Sequence, residues 1–131
     1  MIQFISKWWP SGICIALILY ATLASNPTPD VDMSFFPHID KLIHAIMFGG
    51  VTGALAFDYE RANRVALPML RKKILVYAAF IAIFAVADEI AQALFTETRA
   101  AEVWDAIADF SGIAIAVVMA PPVIMKVLRI R

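Results

Sequence analysis

The chain has 131 residues, of which 62% are apolar and 17% are charged, and its mean hydropathy is +0.78. A soluble domain carries about 25% charged residues and at this size cannot bury so much apolar surface, so the composition predicts an all-α integral membrane protein of one domain. The 11 basic and 11 acidic residues balance, which gives no reason to expect nucleic acid as a partner. The one cysteine, Cys14, excludes an internal disulfide and a cysteine-based metal site.

In chain order, four apolar segments predict a bundle of four transmembrane helices. They span about residues 9–24, 40–57, 74–95 and 101–120. A cleaved signal peptide is the competing interpretation of the first segment, because Lys7 precedes its apolar run. We expect a multi-span protein to retain this segment as a helix.

Prolines and polar residues mark the connections between these segments. Three prolines in residues 25–37 predict a loop. The polar stretch 58–73 predicts a second connection, with Asp58 and Glu60 decorating its surface. Pro121-Pro122 predicts a break or kink at the end of the fourth helix.

The distribution of basic residues predicts the topology. Nine lysines and arginines fall near the two termini and in the stretch 58–73, whereas the other side of the membrane has only Lys41 and Arg99. Basic residues concentrate on the cytoplasmic side, so we expect both termini in the cytoplasm of a bacterial inner membrane. The polar residues beside the other helix ends then lie at the extracytoplasmic side.

Polar and ionisable side chains interrupt the apolar pattern near the start of the second segment and between the third and fourth. Such groups near a bilayer are costly and are functional by default. Spacings of four residues place Asp40 with His44, and Asp105 with Asp109, on shared helix faces. A structural role, in which Glu89 and Asp109 cross-link helices by hydrogen bonds, is the alternative. The candidate ligand-binding residues are Asp40, Lys41, His44, Glu89, Gln92, Arg99, Asp105 and Asp109.

Carboxylates outnumber cations in this set, and three outcomes can resolve the excess. Some carboxyls stay protonated, a divalent cation binds, or a cationic group of a ligand enters. The residues specify no organic cofactor, and they do not identify a metal.

Small residues predict where helices pack closely. Gly49 and Gly53 are four residues apart on one helix face, and Gly112 is the corresponding small residue in the fourth segment. The chain is then either a monomeric four-helix bundle or a homodimer joined through the Gly49–Gly53 face.

At these polar residues the sequence resembles the VanZ-like family of small membrane proteins, over about residues 38–120. Three motifs carry the resemblance: Asp40-Lys41-Leu42-Ile43-His44 at a helix start, Asp88-Glu89-Ile90-Ala91-Gln92 near a helix end, and Arg99 followed by Asp105-Ala-Ile-Ala-Asp109-Phe-Ser-Gly112. The family usually has Asn at the position of Asp109, and an aromatic residue near Ile46 and Met47. The resemblance implies a link to resistance against the glycopeptide teicoplanin, whose mechanism is not established.

Three functions remain open from the sequence. The first is an envelope protein whose outward-facing polar cavity binds a cell-wall, lipid-linked or glycopeptide ligand. The second is an intramembrane enzyme acting on a lipid-linked or phosphorylated precursor, in which His44 and Asp40 form an oriented base and Arg99 clamps an oxyanion. The third is a small transporter, which ranks last because the cytoplasmic halves of the predicted helices lack ionisable residues.

Overall fold

Four helices account for nearly every residue of the computed structural model, which describes residues 2–23, 39–95 and 103–129. They are α1 (Ile2–Leu23), α2 (Ile39–Asn63), α3 (Leu67–Phe95) and α4 (Val103–Arg129). Only residues 64–66 of the described chain lie outside a helix. The all-α prediction is confirmed.

Three of these helices are long and apolar enough to cross a membrane: Lys41–Asn63, Leu67–Leu94 and Val103–Arg129. The shortest has 23 residues and is about 35 Å long, more than the roughly 30 Å of a bilayer core. Large apolar side chains point outward along them, and Ile83, Leu94 and Val118 each expose more than two thirds of their surface. An apolar exterior suits lipid and not water, so the chain is a membrane protein.

The helices extend beyond the bounds expected from hydropathy. The connection predicted over residues 58–73 is only residues 64–66 long, because α2 continues to Asn63 and α3 begins at Leu67. Arg64 ends α2 with a positive φ of 49°, and its N–H donates to the Glu60 carbonyl at 2.7 Å. Such a left-handed residue is a common way to end a helix, and here it allows a very short hairpin between two long helices.

The fourth helix also continues where a break was predicted, passing through Pro121-Pro122 to Arg129. Each proline removes one backbone N–H and crowds the carbonyl four residues earlier. Packing on both sides of the pair holds the helix together: Pro121 is buried, and Ile124 joins Leu70 and Ile74 in an apolar cluster beyond it. Tertiary contacts therefore outweigh the local preference of the two prolines.

Successive helices run in opposite directions, so α2 and α4 are parallel and make the most extensive contact in the bundle. Two apolar clusters fill the interior. The one nearer the start of α2 contains Ile18, Phe48, Val51, Ile81, Ala85 and Ile113. The other contains Ala56, Leu70, Ile74 and Ile124.

Gly49 of α2 and Gly112 of α4 allow these two helices to touch through their backbones. A Cβ added at Gly49 would lie 2.7 Å from the Gly112 carbonyl oxygen, and one added at Gly112 would lie 2.0 Å from the Ala45 carbonyl oxygen. At Gly53, an added Cβ would meet the Ala120 Cβ at an ordinary 3.8 Å. Lipid offers little hydrophobic force between helices, so close backbone packing of this kind is an important source of association.

Two buried carboxylates fasten α1 to the bundle. Near the middle of α1, the Ser11 backbone N–H and side-chain O–H donate to Asp58 Oδ2 of α2, at 3.0 and 2.5 Å. At its end, Thr22 Oγ1 donates to Asp88 Oδ1 of α3 at 2.8 Å. Asp58 is therefore a fully buried helix residue, which corrects the prediction that it decorates a loop.

We predict that Gly112→Ala destabilises the bundle by about 2 kcal/mol or more, because the added methyl group overlaps the Ala45 backbone. The matched control is Gly50→Ala on α2, where an added Cβ has no atom within 4 Å and the change should stabilise the helix by up to about 1 kcal/mol. Thermal unfolding of the detergent-solubilised chain measures both. Equal melting temperatures would contradict the close contact of α2 and α4.

We predict that Thr22→Val costs about 1 kcal/mol more than Thr52→Val, since only Thr22 also bonds a side chain of another helix. Both threonines are fully buried, and each hydroxyl oxygen lies near the carbonyl oxygen four residues earlier, at 2.6 Å for Thr22 and 2.8 Å for Thr52. Thr22 shares its single O–H hydrogen between that carbonyl and Asp88. Unfolding in a denaturing detergent measures the free energy of unfolding of each variant. The difference between the two values reports the contribution of the Thr22–Asp88 bond. A larger loss at Thr52 would show that this bond does not hold α1.

Candidate functional site

At one end of the bundle, α2, α3 and α4 bring polar side chains into the interior. We call this set the buried polar cluster. Asp109 is fully buried there, and the exposures of its six members lie between 0% and 7%. The members are His44, Asp88, Glu89, Gln92, Asp105 and Asp109.

His44 lies at the centre of the cluster, surrounded by three carboxyl groups. Its Nδ1 is 2.9 Å from Asp109 Oδ1 and 4.0 Å from Glu89 Oε1, and its Nε2 is 4.0 Å from Asp105 Oδ2. An ionised Asp109 accepts a hydrogen bond from Nδ1–H, which fixes the orientation of the imidazole ring. The structure thus brings His44 together with three of the predicted site residues, contributed by two other helices.

Lys41 and Gln92 lie at the edges of this arrangement. Lys41 Nζ is 3.3 Å from Asp105 Oδ1, and its side chain retains 23% exposure. Gln92 Nε2 donates to Asp88 Oδ2 at 3.4 Å. All four helices therefore contribute, because Thr22 of α1 bonds the other oxygen of Asp88.

Asp88 was not among the predicted site residues, yet it is buried beside Glu89 and turned towards α1. Two adjacent carboxyls in an apolar helix point to different neighbours, since successive helical residues are about 100° apart. The Asp88-Glu89 pair was the available signal, although the sequence did not show that Thr22 is the partner.

Asp40 and Arg99 cannot be assigned to the cluster. Arg99 and the side chain of Asp40 lie outside the described residues. The predicted pairing of Asp40 with His44 therefore stays a prediction, and the hydrogen bond seen for His44 is the one to Asp109.

Carboxyl groups outnumber basic groups among the described residues of the cluster and the neighbouring Lys41. Asp88, Glu89, Asp105 and Asp109 face Lys41 and the titratable His44. In addition, Asp109 Oδ2 is buried and has no hydrogen-bond partner among the described residues. A buried carboxylate oxygen without a partner is costly, so this position favours a proton or a cation.

Three of these side chains are close enough to share a metal ion. His44, Glu89 and Asp109 each offer one ligand atom, and the three atoms lie within 4.8 Å of one another. A first-row metal sits about 2.0–2.2 Å from nitrogen and oxygen ligands, so its ligands stand at most about 4.4 Å apart and only a small inward movement is needed. One imidazole and two carboxylates suit Zn²⁺ or Mn²⁺ chemically.

A second group of buried carboxylates lies at the other end of the bundle. The sequence did not predict that these residues are buried. Besides Asp58, Glu60 is 2% exposed, and its Oε2 accepts a hydrogen bond from the Val65 N–H at 2.8 Å. The sequence predicts both residues on a loop surface, because hydropathy ends the second helix at residue 57 and α2 continues to Asn63. This finding removes the argument that the far halves of the helices lack ionisable residues.

An apolar layer nevertheless separates the two polar ends. His44 and Asp58 are 14 residues apart, or about 21 Å along α2. Phe48, Val51 and Ile81 fill the interior between them. Thr52 is the buried polar residue of α2 in this gap, and its hydroxyl donates to the Phe48 carbonyl at 2.8 Å. Between His44 and Asp58, α2 carries no acidic or basic side chain.

Comparison with known proteins agrees with the motifs around the cluster. No curated protein and no solved structure matches the chain. The VanZ/LLP1 family matches residues 3–126, which is nearly the whole sequence and covers most or all of each of the four helices. The chain therefore belongs to the VanZ/LLP1 family.

Proposed function

We propose that this chain is an envelope protein of the bacterial inner membrane whose buried polar cluster binds a cell-wall, lipid-linked or glycopeptide ligand. In this proposal α1 is the fourth transmembrane helix and both termini are cytoplasmic, as the concentration of basic residues favours. The cluster then lies near the extracytoplasmic face, where cell-wall precursors and glycopeptides meet. Because Gly49 packs against Gly112 of the same chain, a monomeric bundle suffices.

The observation that carries this proposal is the excess of carboxylates inside an apolar bundle. Cross-linking of helices needs donors matched to acceptors, as in the Thr22–Asp88 pair. Among the described residues around His44 the carboxyl groups outnumber the basic side chains, and Asp109 Oδ2 has no described hydrogen-bond partner. Charged groups at such depth are costly, so their presence supports a binding role for a cation or for a cationic group.

We propose further that the cation is a divalent metal held by His44, Glu89 and Asp109. A metal would neutralise the two carboxylates. Metals held by few protein ligands commonly complete their coordination with substrate phosphates. A phosphate-bearing, lipid-linked precursor is therefore a ligand that fits the proposed site.

A second candidate is an intramembrane hydrolase, and the His44–Asp109 hydrogen bond is the observation that favours it. A carboxylate bonded to one ring nitrogen orients the imidazole, which can then accept a proton from water at the other nitrogen. Serine chemistry is not favoured, because Ser111 is exposed and its hydroxyl donates to the Ile107 carbonyl at 2.7 Å. Turnover of a phosphorylated lipid substrate would distinguish this candidate from a binding protein.

We predict that the purified chain binds one Mn²⁺ and that Glu89→Gln and Asp109→Asn each weaken this binding at least about tenfold, since each removes a charged ligand. Electron paramagnetic resonance of free Mn²⁺ measures the affinity. The control is Glu60→Gln, which makes the same chemical change at a buried carboxylate of the other end. A native chain without Mn²⁺ affinity would contradict the metal site, and equal loss in all three variants would indicate general destabilisation.

We predict that expression of the native chain lowers the teicoplanin susceptibility of a Gram-positive host, and that Glu89→Gln abolishes this protection at the same membrane abundance. The reason is that Glu89 belongs to the proposed ligand site. Ser111→Ala, an exposed change on α4, is the control and should protect fully. Unchanged susceptibility with the native chain would exclude the drug as its target, and protection by Glu89→Gln would exclude the cluster as its cause.

A further inference from the structure

We propose that the end of the bundle opposite the buried polar cluster carries a binding site for a phosphate anion, supplied by the headgroup of an anionic membrane phospholipid. A cavity of about 760 Å³ opens there between α1, α2 and the end of α4. Its charged and aromatic lining consists of Trp9, Phe57, Glu60, Arg61, Arg64 and Arg129.

Two of the three arginines are held in place by backbone carbonyls. Arg61 Nη2 donates to the Lys7 carbonyl at 2.6 Å and the Ser6 carbonyl at 3.3 Å, which also joins α2 to α1. Arg129 Nη2 donates to the Val65 carbonyl at 2.8 Å. A guanidinium group has five N–H donors, so each fixed arginine keeps donors for an anion. Little side-chain freedom is then lost on binding.

The two carboxylates near these arginines are buried, although Glu60 contributes to the cavity lining. Glu60 is 2% exposed, and its oxygens face the Val65 N–H and, at 3.7 Å, Arg129 Nη2. Asp58 is fully buried, its Oδ2 accepts from Ser11, and its Oδ1 lies 3.5 Å from Arg61 Nη2. Arg61, Arg64 and Arg129 reach the accessible surface and outnumber these two carboxylates, so the opening presents an excess of positive charge.

Arg64 ends α2 and adds a third guanidinium group to the cavity lining. Its φ of 49° lies in the left-handed region, where Gly or Asn is the less strained choice. The residue at this position is instead an arginine with an exposed side chain.

The chemistry of the lining favours a phospholipid phosphate. One guanidinium group can donate two parallel, charge-assisted hydrogen bonds to two oxygens of the same phosphate. Beside them lie Trp9, which is 53% exposed, and the apolar side chains of Phe57 and Leu128. Tryptophan is typical of the membrane interface, and basic pockets between helix ends recognise anionic headgroups. Free phosphate would use the arginines and leave the apolar wall without a role.

The test is native mass spectrometry of the full chain in detergent, titrated separately with phosphatidylglycerol, with phosphatidylcholine, and with phosphatidylglycerol plus inorganic phosphate. We expect the chain to retain phosphatidylglycerol several-fold better than phosphatidylcholine. Arg64→Asn should reduce this retention about fivefold while suiting the backbone at residue 64. The control is Arg71→Gln, which removes an exposed charge of α3 outside the cavity lining and should have no effect.

Each outcome decides the proposal. Retention of phosphatidylglycerol that depends on Arg64 and withstands inorganic phosphate supports the lipid as the source of the anion. Displacement by low concentrations of inorganic phosphate, with no preference between the two lipids, keeps the phosphate site and overturns its assignment to lipid. Equal retention by the native chain and Arg64→Asn, or equal losses in Arg64→Asn and Arg71→Gln, overturns the site.

Discussion

The close approach of α2 and α4 at Gly49 and Gly112 is the constraint on which the candidate site depends. Gly112 packs against the backbone of Ala45, the residue after His44. Asp109 precedes Gly112 by three residues, nearly one helical turn, and so it lies opposite His44 at 2.9 Å. A side chain on either glycine would separate the helices and lengthen that hydrogen bond. The glycines thus serve packing and position the polar site through the same contact.

Burial of charge at both ends of the bundle explains how a short chain remains ordered despite weak hydrophobic forces between helices in lipid. Asp58 and Asp88 each receive donors from α1, and these bonds fix its height and rotation against α2 and α3. The carboxyls around His44 are different, because among the described residues their acceptors exceed the nearby donors. One carboxylate at each end of the bundle therefore orders the fold, whereas the other carboxyls at the His44 end belong to the proposed ligand site.

Composition and motif spacing were sufficient to predict the helical membrane class and to bring His44, Glu89, Asp105 and Asp109 into one group. Hydropathy did not predict the ends of the helices correctly. It averages polarity over a window of residues, and it cannot show that a polar side chain has a hydrogen-bond partner inside the bundle. Asp58 is compatible with a membrane helix because Ser11, 47 residues away, supplies two donors and Arg61 Nη2 lies 3.5 Å from its other oxygen. Likewise, α4 continues through Pro121-Pro122 because Ile124, which follows them, packs in an apolar cluster. Both results depend on tertiary contacts.

The two ends of the bundle have opposite electrostatic character and are too far apart to serve one small ligand. His44 and Glu60 are 16 residues apart on α2, or about 24 Å, most of the thickness of a bilayer core. The apolar layer around Phe48 and Val51 lies between them. A phospholipid bound by the arginines would therefore belong to the leaflet opposite the buried polar cluster. Such a lipid would fix the depth of α2 in the membrane, and with it the depth of His44.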